Sequence, residues 1–376
     1  MSADGVPTLG VEEEFLLVDP GTRAPSPRGD AVVARAVAAV GPLVSGEFDR
    51  CQIEVRTPPL ADAAALDGEL RRVRAVADAA ARQEGIRLCA SGTAPVAGAP
   101  ADGAGSVGDH PRYRAGVAQY RAMLDDFAIS ALHVHTHCPD REAAVLAANH
   151  LRPWLPLLVA TAANSPYHDG TSTGYASWRA VVRGRFPCLG PPPYAESARA
   201  YDELAEAMAR SEAVLEAGLP FWDVRPNPHH PTVEVRCMDV LPDVADTVAL
   251  AALVRALVVD ALERVRAGDP GPRVGAELLR AAYWRAARDG WEGAGVDALD
   301  GRVRSSAAQG ARLLDRVGPV LGRYGDLERV RALFRRLDAR GSGAERQRAA
   351  AARHGGVAGA VDDLVARTAD GAREAR

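Results

Sequence analysis

Residues Thr8–Asp19 read TLGVEEEFLLVD, three consecutive glutamates inside an apolar, strand-like run. Carboxylates are depleted in strands and costly to bury unless a positive group meets them. Side chains alternate faces along a strand. Val11, Glu13, Phe15 and Leu17 therefore share one face, and Glu12, Glu14 and Leu16 the other.

The same rule sorts three further segments. In CQIEVRT (Cys51–Thr57), Gln52, Glu54 and Arg56 oppose Ile53 and Val55. In LHVHTHC (Leu132–Cys138), His133, His135 and His137 oppose Leu132, Val134 and Thr136. In TVEVRC (Thr232–Cys237), Glu234 and Arg236 oppose Val233 and Val235. An antiparallel sheet with one wet face accounts for any one of these strands. Carboxylates recurring alongside imidazoles and arginines on four of them point instead to a cage for hard divalent cations. Glu12, Glu14, Glu54, Glu234 and His133 are its candidate ligands, an oxygen-rich set that suits Mg²⁺ or Mn²⁺. Arg56, Arg236, Arg225 and Arg179 are candidates to grip phosphates or a substrate carboxylate in bidentate fashion. Metals with arginines serve phosphoryl transfer.

HVHTHC carries a rival reading. An HxH pair on a strand also opens zinc hydrolase sites, with Cys138 as a fourth ligand. The other histidines show neither HExxH nor paired-cysteine spacing, and the strand glutamates would then be unexplained.

Composition narrows the classes. The chain has 376 residues, 47% hydrophobic and 25% charged, as in soluble globular proteins. A net charge of −4 gives no bulk attraction to nucleic acid or an anionic membrane. There is no leader-like N-terminus, and no apolar run approaches the roughly 20 residues of a membrane span. The five cysteines are scattered and lack CxxC spacing, which fits reduced thiols in a cytoplasmic protein. All 45 basic residues are arginine. That excludes a P-loop lysine, a pyridoxal Schiff base and a kinase-type strand lysine.

The pattern predicts strands over 8–18, 50–56, 86–91, 130–138, 220–225 and 232–239. Helices are expected near 30–40, 61–84, 112–125, 140–162 and 174–183. A long Gly/Ala/Pro-rich loop covers 94–111, and GRFPCLGPPPY is a proline-stiffened loop. After Asp243 every segment reads as helical: 243–267, 273–289, 302–316, 327–338, 341–353 and 356–371. One α+β domain over 1–376, with a helical layer from about 243, is expected.

Six motifs occur in order: GVEEEFLLVD, EFDRCQIEVRTPP, HVHTHCPD, ANSPYHDGTSTGYASWR, WDVRPNPHHPTVEVRCMDV and GSGAERQR. Together they resemble the bacterial carboxylate–amine ligases, the second family of glutamate–cysteine ligases within the glutamine synthetase superfamily. The match runs from about Leu9 to the C-terminus. The resemblance implies a twisted antiparallel sheet bent into a funnel and flanked by helices. It implies an ATP-dependent ligase that makes an amide through an acyl phosphate, with Mg²⁺ or Mn²⁺. Glu12 and Glu14 would bind metal, and Glu54 with Glu47 would form a second acidic pair. His133 resembles the metal-binding histidine and His135 the one facing nucleotide phosphate. Glu234 and Arg236 match an E-x-R pair, one for metal and one for phosphoryl oxygens. Arg179 and Arg225 are weaker carry-overs, which surface salt bridges would explain equally well. Glu13, on the opposite face, reads as structural.

Substrates would be a glutamate-like acid and an amino-acid-like amine, with no nucleic-acid or membrane partner; a homo-oligomer is compatible with this. Guanidino kinases share the superfamily's metal cage and are the other alternative. In the family, HVH is usually followed by a small-residue turn, where this chain has Thr136, His137 and Cys138. That departure leaves the substrate open rather than the chemistry.

Overall fold

The computed structural model describes residues 5–98, 107–215 and 220–371. In chain order the strands are β1 (Leu9–Val18), β2 (Val44–Gly46), β3 (Gln52–Arg56), β4 (Arg87–Cys89), β5 (Ala131–His137), β6 (Tyr167–His168), β7 (Thr171–Ser172), β8 (Val224–Pro226), β9 (Thr232–Asp239), β10 (Ala294–Val296) and β11 (Val303–Ser305). The α-helices are α1 (Gly29–Val40), α2 (Ala63–Gln83), α3 (Pro111–Tyr120), α4 (Arg141–Leu151), α5 (Leu155–Thr161), α6 (Trp178–Arg183), α7 (Ala198–Arg210), α8 (Val244–Arg266), α9 (Ala276–Asp289), α10 (Ser306–Arg323), α11 (Leu327–Arg340), α12 (Gly343–Arg353) and α13 (Val357–Gly371).

Seven strands form one antiparallel sheet in the order β2-β3-β1-β5-β9-β8, with β4 pairing the end of β1. Antiparallel pairing with one aliphatic face leaves the other free to carry polar groups. The register then does the assembling. Glu12 lies opposite Arg56 on one side and His133 on the other, Glu14 lies opposite Glu54, and His135 lies opposite Glu234. Between Val235 and Met238 the pairing slips, so Arg236 and Cys237 together face His133. Such a β-bulge re-aims the side chains it carries.

The aliphatic face is closed by helices. Leu9, Val11, Val134 and Val235 join α8, which is buried along most of its length, and through it Leu313 and Val317 of α10 and Leu333 of α11. A helix apolar nearly all round belongs inside a protein. A second cluster sets Phe15, Leu17, Ile53 and Val55 on Val32 of α1 and Val73 of α2. On the polar face, Leu16 and Val18 are capped by Val361 and Leu364 of α13, which confines the open stretch of β1 to Glu12 and Glu14. No helix among the described residues is long and apolar enough to cross a membrane.

Five expectations are corrected. The single helix over 140–162 is two, α4 and α5, because Pro153 cannot donate in a continuous helix and a 3-10 turn over Arg152–Trp154 takes its place. Helix α7 follows the proline loop where no element was expected; Ser197 caps it, accepting from the amide of Ala200 at 3.1 Å. The region after Asp243 is not wholly helical, since β10 and β11 form a hairpin of three-residue strands. Strand β2 is also three residues, too short to show alternation. The strand expected at 220–225 is β8, shifted to Val224–Pro226. Residues 99–106 of the expected long loop lie outside the described residues.

Candidate active site

The sheet's polar face brings together carboxylates and imidazoles from four strands and one turn. Glu12 and Glu14 come from β1, Glu47 from the turn after β2, Glu54 from β3, His133 and His135 from β5, and Glu234 from β9. His133 Nδ1 lies 3.2 Å from Glu12 Oε2, and its Nε2 lies 3.7 Å from Glu14 Oε1. His135 Nε2 lies 3.4 Å from Glu12 Oε1, while its Nδ1 meets Thr232 Oγ1 at 3.2 Å. Three sets place their ligand atoms within 4.8 Å of one another: Glu12–Glu54–His133, Glu12–His135–Glu234 and Glu14–Glu47–Glu54. Glu12 and Glu54 each belong to two sets.

The electrostatics divide the face in two. Glu47 is pushed up to about 7 by burial and by the neighbouring Glu14. Glu54 is pushed well above the usual carboxylate range by burial, then by Glu47 and Glu12. Carboxylates buried and crowded together behave in this way, and Arg56 beside Glu54 offsets the effect only in part. Burial works against ionisation of Glu12 too, yet His133 and His135 hold it well below the usual range. Glu234 is likewise held low against burial, by Arg236 and then Arg225. His133 itself is lowered by burial and by Arg236. One half of the cage is thus balanced by the protein's own cations, and the Glu14–Glu47–Glu54 half only in part, by Arg56 at its edge and Arg236. Oxygen-rich sets with one histidine fit Mg²⁺ or Mn²⁺.

The arginines play different parts. Arg225 makes a fork on Glu234, Nε at 3.0 Å and Nη2 at 3.3 Å, and its Nη1 donates to Pro220 O at 3.1 Å. Arg236 donates Nη1 to Glu234, leaving a buried Nε without a partner. Burial would lower its pKa, but Glu234 raises it above the ordinary arginine value. Arg179 is almost wholly buried, lines the cavity, and donates to the carbonyls of Cys237 at 3.2 Å and Arg236 at 3.1 Å, so it braces the bulge. Burial and then Arg183 bring it down to about 10. Arg56 sits at the edge, 3.2 Å from Glu54 and 3.1 Å from Pro42 O, and does not line the cavity.

That cavity, of about 380 Å³, opens over Glu12, Glu14, Glu47, Glu54, His133 and Arg236. Its remaining wall includes groups that strand alternation does not reveal: Arg112 and Tyr113 of α3, Arg183 of α6, Asn227 and His229 after β8, and phenylalanines from loops. Asn227 donates to Glu234 Oε2 at 2.8 Å. The WDVRPNPHH stretch was the available signal for Asn227; no periodicity marks the loop residues.

The zinc reading loses its ligands. None of the three sets contains a cysteine, and the Cys138 thiol points to Asp140 O at 3.4 Å. All five cysteines are free and buried, and burial pushes Cys138 up to about 11 and Cys89 up to about 12. His137 closes β5, half-buried, outside all three sets.

Comparison with known proteins identifies relatives of the chain. Residues 8–366 match the family described as "Glutamate-cysteine ligase family 2". A protein of Nocardia farcinica named "Putative glutamate--cysteine ligase 2-1" is 44% identical over 366 residues, 97% of this chain and 94% of its own length. A Salinispora arenicola protein of the same name, without the suffix, is 43% identical over 91% of this chain and 89% of its own. Among solved structures, glutamate–cysteine ligase of Francisella tularensis in complex with AMP superposes with a TM-score of 0.69 at 14% identity, covering 98% of this chain and 89% of that one. A bifunctional glutathione synthetase of Pasteurella multocida gives the same TM-score at 16% identity, covering 97% of this chain and 52% of its own. These two share the fold.

Proposed function

Since the chain belongs to glutamate–cysteine ligase family 2, we propose that its acidic sheet face binds Mg²⁺ and there couples ATP cleavage to joining a carboxylate with an amine. The chain is an ATP-dependent ligase forming C–N bonds; the hydrolase and guanidino-kinase alternatives find no support. The observation that carries the metal reading is the trio of ligand sets sharing Glu12 and Glu54.

Bound metal would neutralise phosphate charge and polarise the γ-phosphoryl group. The protein's own groups supply the rest. Glu14, Glu47 and Glu54 would hold one ion, and Glu12, His133, His135 and Glu234 would hold the others. Arg236, which lines the cavity and keeps an unpartnered Nε, would meet the phosphoryl oxygens. Arg225 acts through Glu234, and Arg179 through the bulge carbonyls, so both are positioning residues. A substrate carboxylate oxygen attacks the γ-phosphorus while the bond to the β-phosphate oxygen breaks and ADP leaves. The amine then attacks the acyl carbon, the C–O bond breaks, inorganic phosphate departs with the acid's oxygen, and the amine proton passes to solvent. No protein nucleophile is needed. Glutamate and cysteine are the pair carried by the relatives' names.

The test is the fate of label from an ¹⁸O-carboxylate in the presence of an amine and MgATP. ADP with one label in phosphate is expected. AMP with pyrophosphate, or ADP with all label retained in the acid, overturns the mechanism.

A further inference from the structure

The chain contains six phenylalanines, and four of them, Phe48, Phe127, Phe186 and Phe221, line the cavity above the acidic face. Tyr113 and Tyr120 join them. Five of these rings, all but Phe221, form a chain of edge contacts: Phe48–Tyr113 at 5.3 Å, Phe48–Phe127 at 6.1 Å, Phe127–Phe186 at 4.9 Å and Tyr120–Phe186 at 5.2 Å between centroids. Five of the six rings are only half-buried. Edge-contacting rings present further ring-binding surface to whatever occupies the space beside them.

Most of the polar groups on this side are already engaged, the exposed His229 ring excepted. Arg183 is committed to Asp223 at 2.6 Å and Phe221 O at 3.3 Å, and the Gln52 amide to Ile129 O at 2.7 Å and Ser130 Oγ at 2.8 Å. Arg225 is spent on Glu234, and Arg112 lies over the Phe221 ring at 5.6 Å. A glutamate would need a cation for its second carboxylate here, and burying that group unpaired is costly. His135 and Glu234 do not line the cavity, whereas Arg236, assigned to the phosphoryl oxygens, does, so the aromatic wall shares its cavity with the place where the phosphoryl group and an organic substrate would meet.

We infer that one of the two organic substrates, the acid or the amine, presents an aryl or similarly large apolar group to this wall. The inference rests on the ligase reading and specifies its substrate class. Helix α3 contributes Gly116 to the same wall, where an added Cβ would meet Phe48 and Leu215 at 3.6 Å, an ordinary contact. The backbone there accepts a Cβ, and Gly116→Leu carries added bulk on into the wall.

ADP release with MgATP distinguishes the sources in two arms: 3-phenylpropionate with an amino-acid amine panel, and phenethylamine with glutamate. In one arm kcat/KM should exceed that for glutamate with cysteine by about tenfold or more. Gly116→Leu and Phe127→Ala should each lower the aryl-to-glutamate/cysteine ratio by about tenfold, with KM for ATP unchanged. Taking a ratio cancels any loss of folded protein. A ratio that favours glutamate with cysteine and does not move in the variants overturns the inference and leaves the ligase reading standing. A raised KM for ATP with an unmoved ratio overturns it too, by giving the wall to adenine. If no pair releases ADP, the ligase reading fails. The inference is then read from thermal shifts of protein holding Mg²⁺ and a non-hydrolysable ATP analogue, and a null response to both 3-phenylpropionate and phenethylamine overturns it.

Discussion

Arg74 reaches from α2 to the back of the sheet and takes both carboxylate oxygens of Glu13, its Nε 2.7 Å from Oε2, with both side chains almost wholly inaccessible. Thr247 of α8 donates to the same carboxylate at 2.9 Å, and Arg74 also reaches the carbonyls of Leu241 and Pro242. The middle glutamate of the triplet therefore locks β1 to two helices while its neighbours face the cage.

Glu13→Ala should be strongly destabilising, by about 3–5 kcal/mol, because it strands a buried guanidinium. Chemical denaturation reads it. A loss under about 1 kcal/mol would mean that Arg74 finds another partner.

Glu14→Gln and Glu234→Gln should both abolish ATP-dependent ligation, but with different costs to the fold. Glu14 stands among carboxylates, so its removal relieves repulsion, and the metal-free melting temperature should hold or rise. Glu234 neutralises Arg225 and Arg236 in the interior, so its replacement should cost about 3 kcal/mol. Equal melting temperatures for the two variants would contradict this division.

Without metal, stability should fall as pH rises from about 5 to about 7. Burial and Glu14 raise Glu47 to about 7 in the folded protein from an ordinary 4.5, so over that window the folded state holds more protons than the unfolded. Stability gained by retaining the proton is lost as pH passes through the raised value. Glu47→Gln should flatten the profile, and so should saturating Mg²⁺. A metal-free profile that climbs across this range would count against the crowded-carboxylate picture.

Chelation should abolish turnover, with Mg²⁺ or Mn²⁺ restoring it, and Cys138→Ser should retain most activity. Recovery on Zn²⁺ alone without nucleotide, or loss of activity in a folded Cys138→Ser protein, would return the metal-hydrolase or covalent reading.

Strand alternation made the cage readable because the period of two is local: once Glu12, Glu54, His133 and Glu234 were placed on polar faces, antiparallel pairing had few ways to arrange them. Glu47 was reachable only through resemblance, since it sits in a turn after a three-residue strand. The aromatic wall was not readable. Its rings come from a turn, a helix and three loops, and nothing in the spacing of Phe48, Phe127, Phe186 and Phe221 announces that they converge. Arg179 and Arg225 line the cavity, but the carbonyls and carboxylate that occupy them depend on tertiary packing alone.

The slip in β9 gives that strand two reading frames. Glu234 is in phase with His135, whereas Asp239 is in phase with Ala131 and accepts from Asn164, Ser165 and Ser177. Deleting one residue between them would straighten the ladder and leave both halves opposite their present partners, but it would remove one of the two carbonyls on which Arg179 is seated. The extra residue therefore serves the buried arginine and not the strand register. Cys237 can be exchanged for another small apolar residue, since it is its carbonyl that Arg179 meets, but omitting it would unseat the guanidinium.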